Sequence, residues 1–136
     1  METKVIWNGK MKFTGITPSN FQIVMDSTPD HGGENEGPRP MELVLVALGG
    51  CTGMDVISIL NKMKEKVESF EMSITAERAQ DHPKVYTKVH IEYIFKGENL
   101  KEENIKKAIE LSQTKYCSVS AILRGTAEVT YSWKIL

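Results

Sequence analysis

Apolar and polar positions alternate in several short runs, recur at helical spacing in others, and close into one uninterrupted apolar block between them. Residues 4–7, 10–16 and 20–26 read as three short strands. In the third, Phe21, Ile23 and Met25 alternate with Gln22, Val24 and Asp26. Asn8-Gly9 is a hairpin-turn signal, and residues 17–20, Thr-Pro-Ser-Asn, form a second turn. Residues 27–37 are a loop rich in Gly, Asp, Glu and Pro. Residues 43–48 are then apolar on every side. Beyond them Asp55, Ser58, Asn61 and Lys62 mark a polar side, and Met54, Ile57, Leu60 and Met63 an apolar one. This spacing predicts one long helix over 41–63, with Pro38 and Pro40 stiffening its entry and Glu42 suited to the dipole of its first turn. Strict alternation returns at 70–77, and over 85–95 with Val85, Thr87, Val89, Ile91, Tyr93 and Phe95 on one side. A polar helix with an apolar stripe of Leu100, Ile105, Ala108, Ile109 and Leu111 is expected over 98–115. It is interrupted at 116–120. Ser118 is expected to cap a short helix ending near Gly125, and residues 127–135 to form the last strand.

The order βββ-α-ββ-αα-β defines an α+β domain spanning residues 1–136. Residues 43–60 reach the lower edge of membrane-spanning length. Asp55, the glycines and the strand-rich flanks favour a buried helix instead. One small sheet cannot cover a helix that is apolar all round. A symmetric homodimer, with one such helix from each copy packed between two sheets, would bury it. The 136 residues suit a single domain. A net charge of −1 speaks against a nucleic-acid partner, and 40% hydrophobic with 26% charged residues is ordinary globular composition. The first eleven residues lack the pattern of a secretory leader. The cytosol is the expected compartment, with no membrane partner and with thiols rather than a permanent disulfide.

The candidate chemistry lies in Cys51 and Cys117. Cys117 precedes an expected helix start, where the dipole favours thiolate. Cys51 is mid-helix and needs a cation, for which Arg39 at the mouth of the helix is the local candidate. Inert packing is the alternative, since free cysteines are commonly buried. Gly49, Gly50 and Gly53 around Cys51 each weaken a helix by roughly 1 kcal/mol. Close approach of another backbone, or open space above the thiol, is expected to offset that cost. His31, His82 and His90 have no metal-ligand spacing to either cysteine, so no metal site and no cofactor are expected.

The stretches Pro40-Met41-Glu42-Leu43, Gly50-Cys51 and Cys117-Ser118-Val119-Ser120, in this order of elements, resemble the OsmC/Ohr family of osmotically inducible and organic hydroperoxide resistance proteins. The resemblance implies an intertwined homodimer and a thiol peroxidase that reduces organic hydroperoxides, and hydrogen peroxide more weakly. Cys51 would be the peroxidatic thiol and Cys117 the resolving one, re-reduced by an external dithiol of lipoyl type. Arg39 and Glu42 are the accompanying catalytic candidates, and Met41 and Met54 the candidate pocket lining. Two positions depart from the family pattern. Met41 stands where an acidic residue is usual, and the first three strands carry no arginine. Glu42, nine positions before Cys51, falls ~180° round a straight helix from it. A non-catalytic dimeric ligand binder or redox sensor on the same scaffold is the competing expectation.

Overall fold

In the computed structural model, which describes residues 1–136, the elements follow the expected order, and they divide into two compact units, Met1–Val46 and Ala47–Leu136. In the first unit, β1 (Lys4–Trp7), β2 (Phe13–Ile16) and β3 (Gln22–Met25) form an antiparallel meander. The first turn is wider than expected. Asn8 N–H donates to Lys12 O at 2.8 Å, and Gly9 and Lys10 both take positive φ, so Lys10 and Met11 belong to the turn and not to β2. Phe21 lies in the second turn and is 70% exposed; only Met25 of its alternating set is half-buried.

The loop after β3 is organised by Asp26, whose carboxylate accepts the N–H groups of Ser27 (2.7 Å), Glu34 (3.2 Å) and Glu36 (3.2 Å). The chain passes so close to itself there that a Cβ on Gly33 would stand 2.0 Å from Ser27 O. At the start of α1 (Pro40–Lys62), Glu42 Oε1 accepts Arg39 N–H at 2.7 Å, satisfying a donor at the open helix end.

In the second unit, α1 buries Leu48, Thr52, Val56 and Leu60 at four-residue spacing, with Gly49 and Gly53 beside them. Full burial of Leu48, Val56 and Leu60 contributes about 1.5–3 kcal/mol each. The glycines let strand β4 (Lys66–Arg78) come close. A Cβ on Gly49 would stand 3.1 Å from Ile74 Cδ1, and one on Gly53 2.8 Å from Met72 Cε. The close approach is thus by side chains of a strand, not by another backbone. Gly50 has nothing within 4 Å of its would-be Cβ, which leaves open space next to Cys51. In the single chain one side of α1 is left uncovered: Met54 is 74% exposed, and Gly50 and Ser58 face outward.

β4 pairs antiparallel with β5 (Tyr86–Glu98), and β6 (Glu128–Ile135) pairs parallel with β5. A parallel pair needs a long crossover. Here it consists of α2 (Glu102–Leu111), a π-helical turn (Ser112–Tyr116) and α3 (Ser118–Leu123). The expected helix over 98–115 is therefore shorter, and Leu100 precedes it; Ile105, Ala108 and Ile109 of its stripe are buried. Val89, Ile91, Tyr93 and Phe95 of β5 are fully buried as expected, and Phe70 stacks on Phe95 at 4.5 Å. The register shifts between Glu77 and Arg78, so the buried residue at the start of β5 is Tyr86, and Thr87 is exposed. His90 lies on the other face, bonded to Thr130 (2.7 Å) and Ser132 (2.9 Å) of β6, which gives it a structural role.

Candidate thiol site

Cys51 and Asp55 are one turn apart on α1 and so share a face of the helix. The π turn brings Cys117 to them. Its wide bond, Cys117 N–H to Ser112 O at 2.8 Å, inserts one residue beyond an α-helical turn and leaves the adjacent Ser112 and Gln113 both buried. Cys51 Sγ, Cys117 Sγ and a carboxylate oxygen of Asp55 all lie within 4.8 Å of one another, and both cysteines are unpaired thiols.

Cys117, not Ser118, caps α3, with its sulfur accepting Ser120 N–H at 3.4 Å. The expected thiolate at this cap is corrected. Burial pushes the Cys117 thiol up, the bonds from Ser120 pull it down, and the neighbouring Cys51 adds to the rise, so the net shift is upward from 9.0. A six-residue helix has little dipole to oppose burial. Cys117 is a protonated thiol at neutral pH.

From Asp55 runs a hydrogen-bonded chain whose middle members, Ser112, Thr52, Tyr93 and Gln113, are buried. Ser112 Oγ donates to Asp55 Oδ2 (2.9 Å) and meets Thr52 Oγ1 (2.7 Å); Thr52 Oγ1 meets Tyr93 OH (2.6 Å). Gln113 Nε2 donates to Tyr93 OH (2.9 Å) and Thr52 Oγ1 (3.2 Å), and Gln113 Oε1 accepts from Arg124 Nη2 (2.9 Å). Each hydroxyl has one proton, and a carboxylate only accepts. Ser112 therefore donates to Asp55, Thr52 to Ser112, and Tyr93 to Thr52. Every dipole in the chain points at Asp55. Burial, ahead of the opposing bonds from Thr52 and Gln113, raises the Tyr93 pKa and keeps it a donor.

Of the residues expected at the site, Cys51 and Cys117 are brought together. Met54 lines a surface cavity of about 330 Å³ with Asp55, Ser58, Ile59, Lys62 and Tyr116, so Asp55 borders both the sulfurs and this cavity. Met41 is half-buried in the first turn of α1. Arg39 Nη1 donates to Gly37 O (2.8 Å) and Nη2 to Asn35 Oδ1 (2.6 Å). In the first unit Arg39 also lines an apolar cavity of about 580 Å³ with Val5, Met11, Phe13, Met25 and Pro40. Asp55, expected only as part of the polar side of the helix, accepts a hydrogen bond from Ser112. Thr52, Tyr93, Ser112, Gln113 and Arg124 were missed. The signal available was Thr52, a polar residue inside the buried stripe of Leu48, Val56 and Leu60.

The family model described as OsmC-like protein matches residues 33–132. Protein YhfA of Escherichia coli strain K12 is 35% identical over 136 residues, covering 100% of this chain and 98% of that protein. Among solved structures, a hypothetical protein from Aquifex aeolicus VF5 is 31% identical with a TM-score of 0.86, covering 99% of this chain and 95% of that one. A Legionella pneumophila structure, described as an organic hydroperoxide resistance protein OsmC and predicted redox protein, shares 16% identity at a TM-score of 0.69. It covers 98% of this chain and 95% of that one, a likeness of fold.

Proposed function

As the chain belongs to the OsmC-like protein family, we propose that it is a thiol-dependent peroxidase that reduces organic hydroperoxides, and hydrogen peroxide more weakly, in oxidative-stress defence. The observation that carries this reading is the pair of reduced sulfurs within 4.8 Å, with Cys117 held as the thiol. The Cys51 thiolate attacks the terminal peroxide oxygen, and the O–O bond breaks. The alkoxide leaves and takes a proton to become an alcohol, and Cys51 becomes a sulfenic acid. Cys117 then condenses with it, releasing water and forming the disulfide. The sulfurs need at most about 2.7 Å of further approach for that bond. An external dithiol, of lipoyl type, restores both thiols by exchange.

Arg39 is the proposed cation favouring the Cys51 thiolate, and its bonds to Gly37 and Asn35 leave part of its five-donor fork unspent. Glu42, which caps the helix, is the lesser contributor. Met54 and Met41 are the proposed apolar lining for the organic tail. The proposed assembly is a homodimer that covers the outer side of α1, where Met54 is 74% exposed. Two unpaired thiols suit a reducing compartment, the cytosol.

The test is steady-state consumption of an organic hydroperoxide with dihydrolipoamide. Wild type turns over. Cys51→Ser is inert, and Cys117→Ser accumulates a sulfenic acid that dimedone traps. Arg39→Ala slows Cys51 alkylation at neutral pH, and Glu42→Gln changes it less. Absence of turnover in wild type removes the reading. It would favour a non-catalytic ligand binder or redox sensor, which Met41 at the usual acidic position supports.

A further inference from the structure

Two cysteines and a carboxylate around one point, with donors that fix the carboxylate and Cys117, make more than a dithiol. We propose that Cys51, Asp55 and Cys117 form a three-ligand site for a thiophilic divalent cation, Zn²⁺, with its fourth position open. The proposal concerns the same residues as the peroxidase reading but does not depend on turnover.

The first argument is spacing. Tetrahedral zinc with sulfur at about 2.3 Å and oxygen at about 2.1 Å places its ligand atoms about 3.6–3.8 Å apart. The three ligand atoms here already lie within 4.8 Å of one another, so each pair closes by at most about 1.2 Å. Side-chain rotation alone covers that distance.

The second argument is the shell behind the ligands. Metal-binding carboxylates and thiolates are held by outer hydrogen bonds that set their direction. Asp55 Oδ2 accepts the Ser112 hydroxyl, which leaves Oδ1 outside that bond. Cys117 Sγ accepts Ser120 N–H. The hydroxyls of Thr52 and Tyr93 and the Gln113 amide all polarise toward Asp55. For a peroxidase alone this carboxylate is poorly placed, because a negative charge beside a thiol disfavours thiolate. A divalent cation reverses that logic by deprotonating its thiol ligands outright. Access comes from the open space at Gly50 and from the cavity that Met54, Asp55 and Tyr116 line. Both sulfurs bind as thiolates, any proton they carry goes to solvent, and no oxidation state changes.

The experiment uses reduced full-length protein in anaerobic buffer. Co²⁺ is titrated as a spectroscopic probe, and Zn²⁺ is then competed against a chromogenic chelator. Expected are one ion per chain, a sulfur-to-cobalt charge-transfer band, and the intense visible bands of tetrahedral cobalt. Zn²⁺ displaces the cobalt and protects both cysteines from alkylation. Asp55→Ala weakens Zn²⁺ at least about tenfold, and Asp55→Asn, which keeps the shape, does the same in a protein whose circular dichroism matches wild type. A spectrum without charge transfer, or Zn²⁺ affinity unchanged in the folded Asp55→Asn protein, overturns the proposal. Peroxide consumption is measured separately with chelator present, so loss of metal binding and loss of turnover are read independently.

Discussion

Thr52→Val exchanges a hydroxyl for a methyl group of similar size at a fully buried position of α1. Thr52 Oγ1 is a junction, at 2.6 Å from Tyr93 OH, 2.7 Å from Ser112 Oγ and 3.2 Å from Gln113 Nε2. In the variant Ser112 keeps its bond to Asp55, and Gln113 keeps its bond to Tyr93. The Tyr93 O–H loses its acceptor at a fully buried position. Two short bonds at about 1 kcal/mol each, plus about 1 kcal/mol or more for the orphaned donor, give a loss of about 3 kcal/mol. The added methyl returns up to about 0.8 kcal/mol. The expected net loss is about 2–3 kcal/mol, a fall of roughly 6–12 °C in Tm for a chain of this size. Guanidinium unfolding of the reduced protein, followed by far-UV circular dichroism at one fixed concentration, measures it. Thr52→Ser is the control, because it keeps the hydroxyl and loses only a methyl. A Thr52→Val loss below about 0.5 kcal/mol, or a larger loss in Thr52→Ser than in Thr52→Val, would refute the argument that hydrogen bonding explains this buried threonine.

Cys117 also makes stability depend on alkaline pH. Its folded pKa lies above the ordinary 9.0, so its contribution is fully present below 9.0 and is lost as pH rises from there through the folded value. Cys117→Ser should flatten that part of a denaturation profile; an unchanged slope would count against a buried protonated thiol. Tyr93 follows with the same sign above its ordinary 10.0, so Tyr93→Phe should soften the decline at still higher pH. In the first unit, Gly33→Ala forces a Cβ against Ser27 O and should cost about 1–3 kcal/mol, read as faster proteolysis of residues 27–37; wild-type resistance would show that the loop yields freely.

The elements that alternation and helical spacing define were legible in the sequence. β5 could be read because Val89, Ile91, Tyr93 and Phe95 face one core, and α1 because its apolar block leaves no other element type of that length. What escaped was local irregularity. The widened turn at residues 8–12 and the register shift at Glu77 depend on backbone geometry that residue types leave undetermined. The π turn is the costliest omission, since one inserted residue decides that Ser112, Gln113 and Cys117 converge on α1. The two cysteines were found through motif resemblance. The polar chain from Asp55 to Arg124 was not, because its members come from α1, β5, the π turn and the residue after α3, and no sequence spacing links them. The misjudged Cys117 followed from weighing a helix dipole without knowing how deeply the sulfur is buried.

The parallel pairing of β5 with β6 has a consequence for the order in which the molecule assembles. Paired residues such as Lys88 and Glu128 are separated by the whole crossover, whereas the β4–β5 hairpin closes over one short turn. Local contacts form early, and distant ones wait for loop closure. On a translating ribosome, Cys51 is out and α1 can settle on the hairpin before Cys117 emerges. β6 follows later still, and only its docking pins the crossover. Cys51 therefore spends the first part of its life as a solitary thiol, open to any oxidant or disulfide-forming neighbour. The acquisition of a partner sulfur marks the completion of the fold, and a pulse of thiol labelling during synthesis would date that moment.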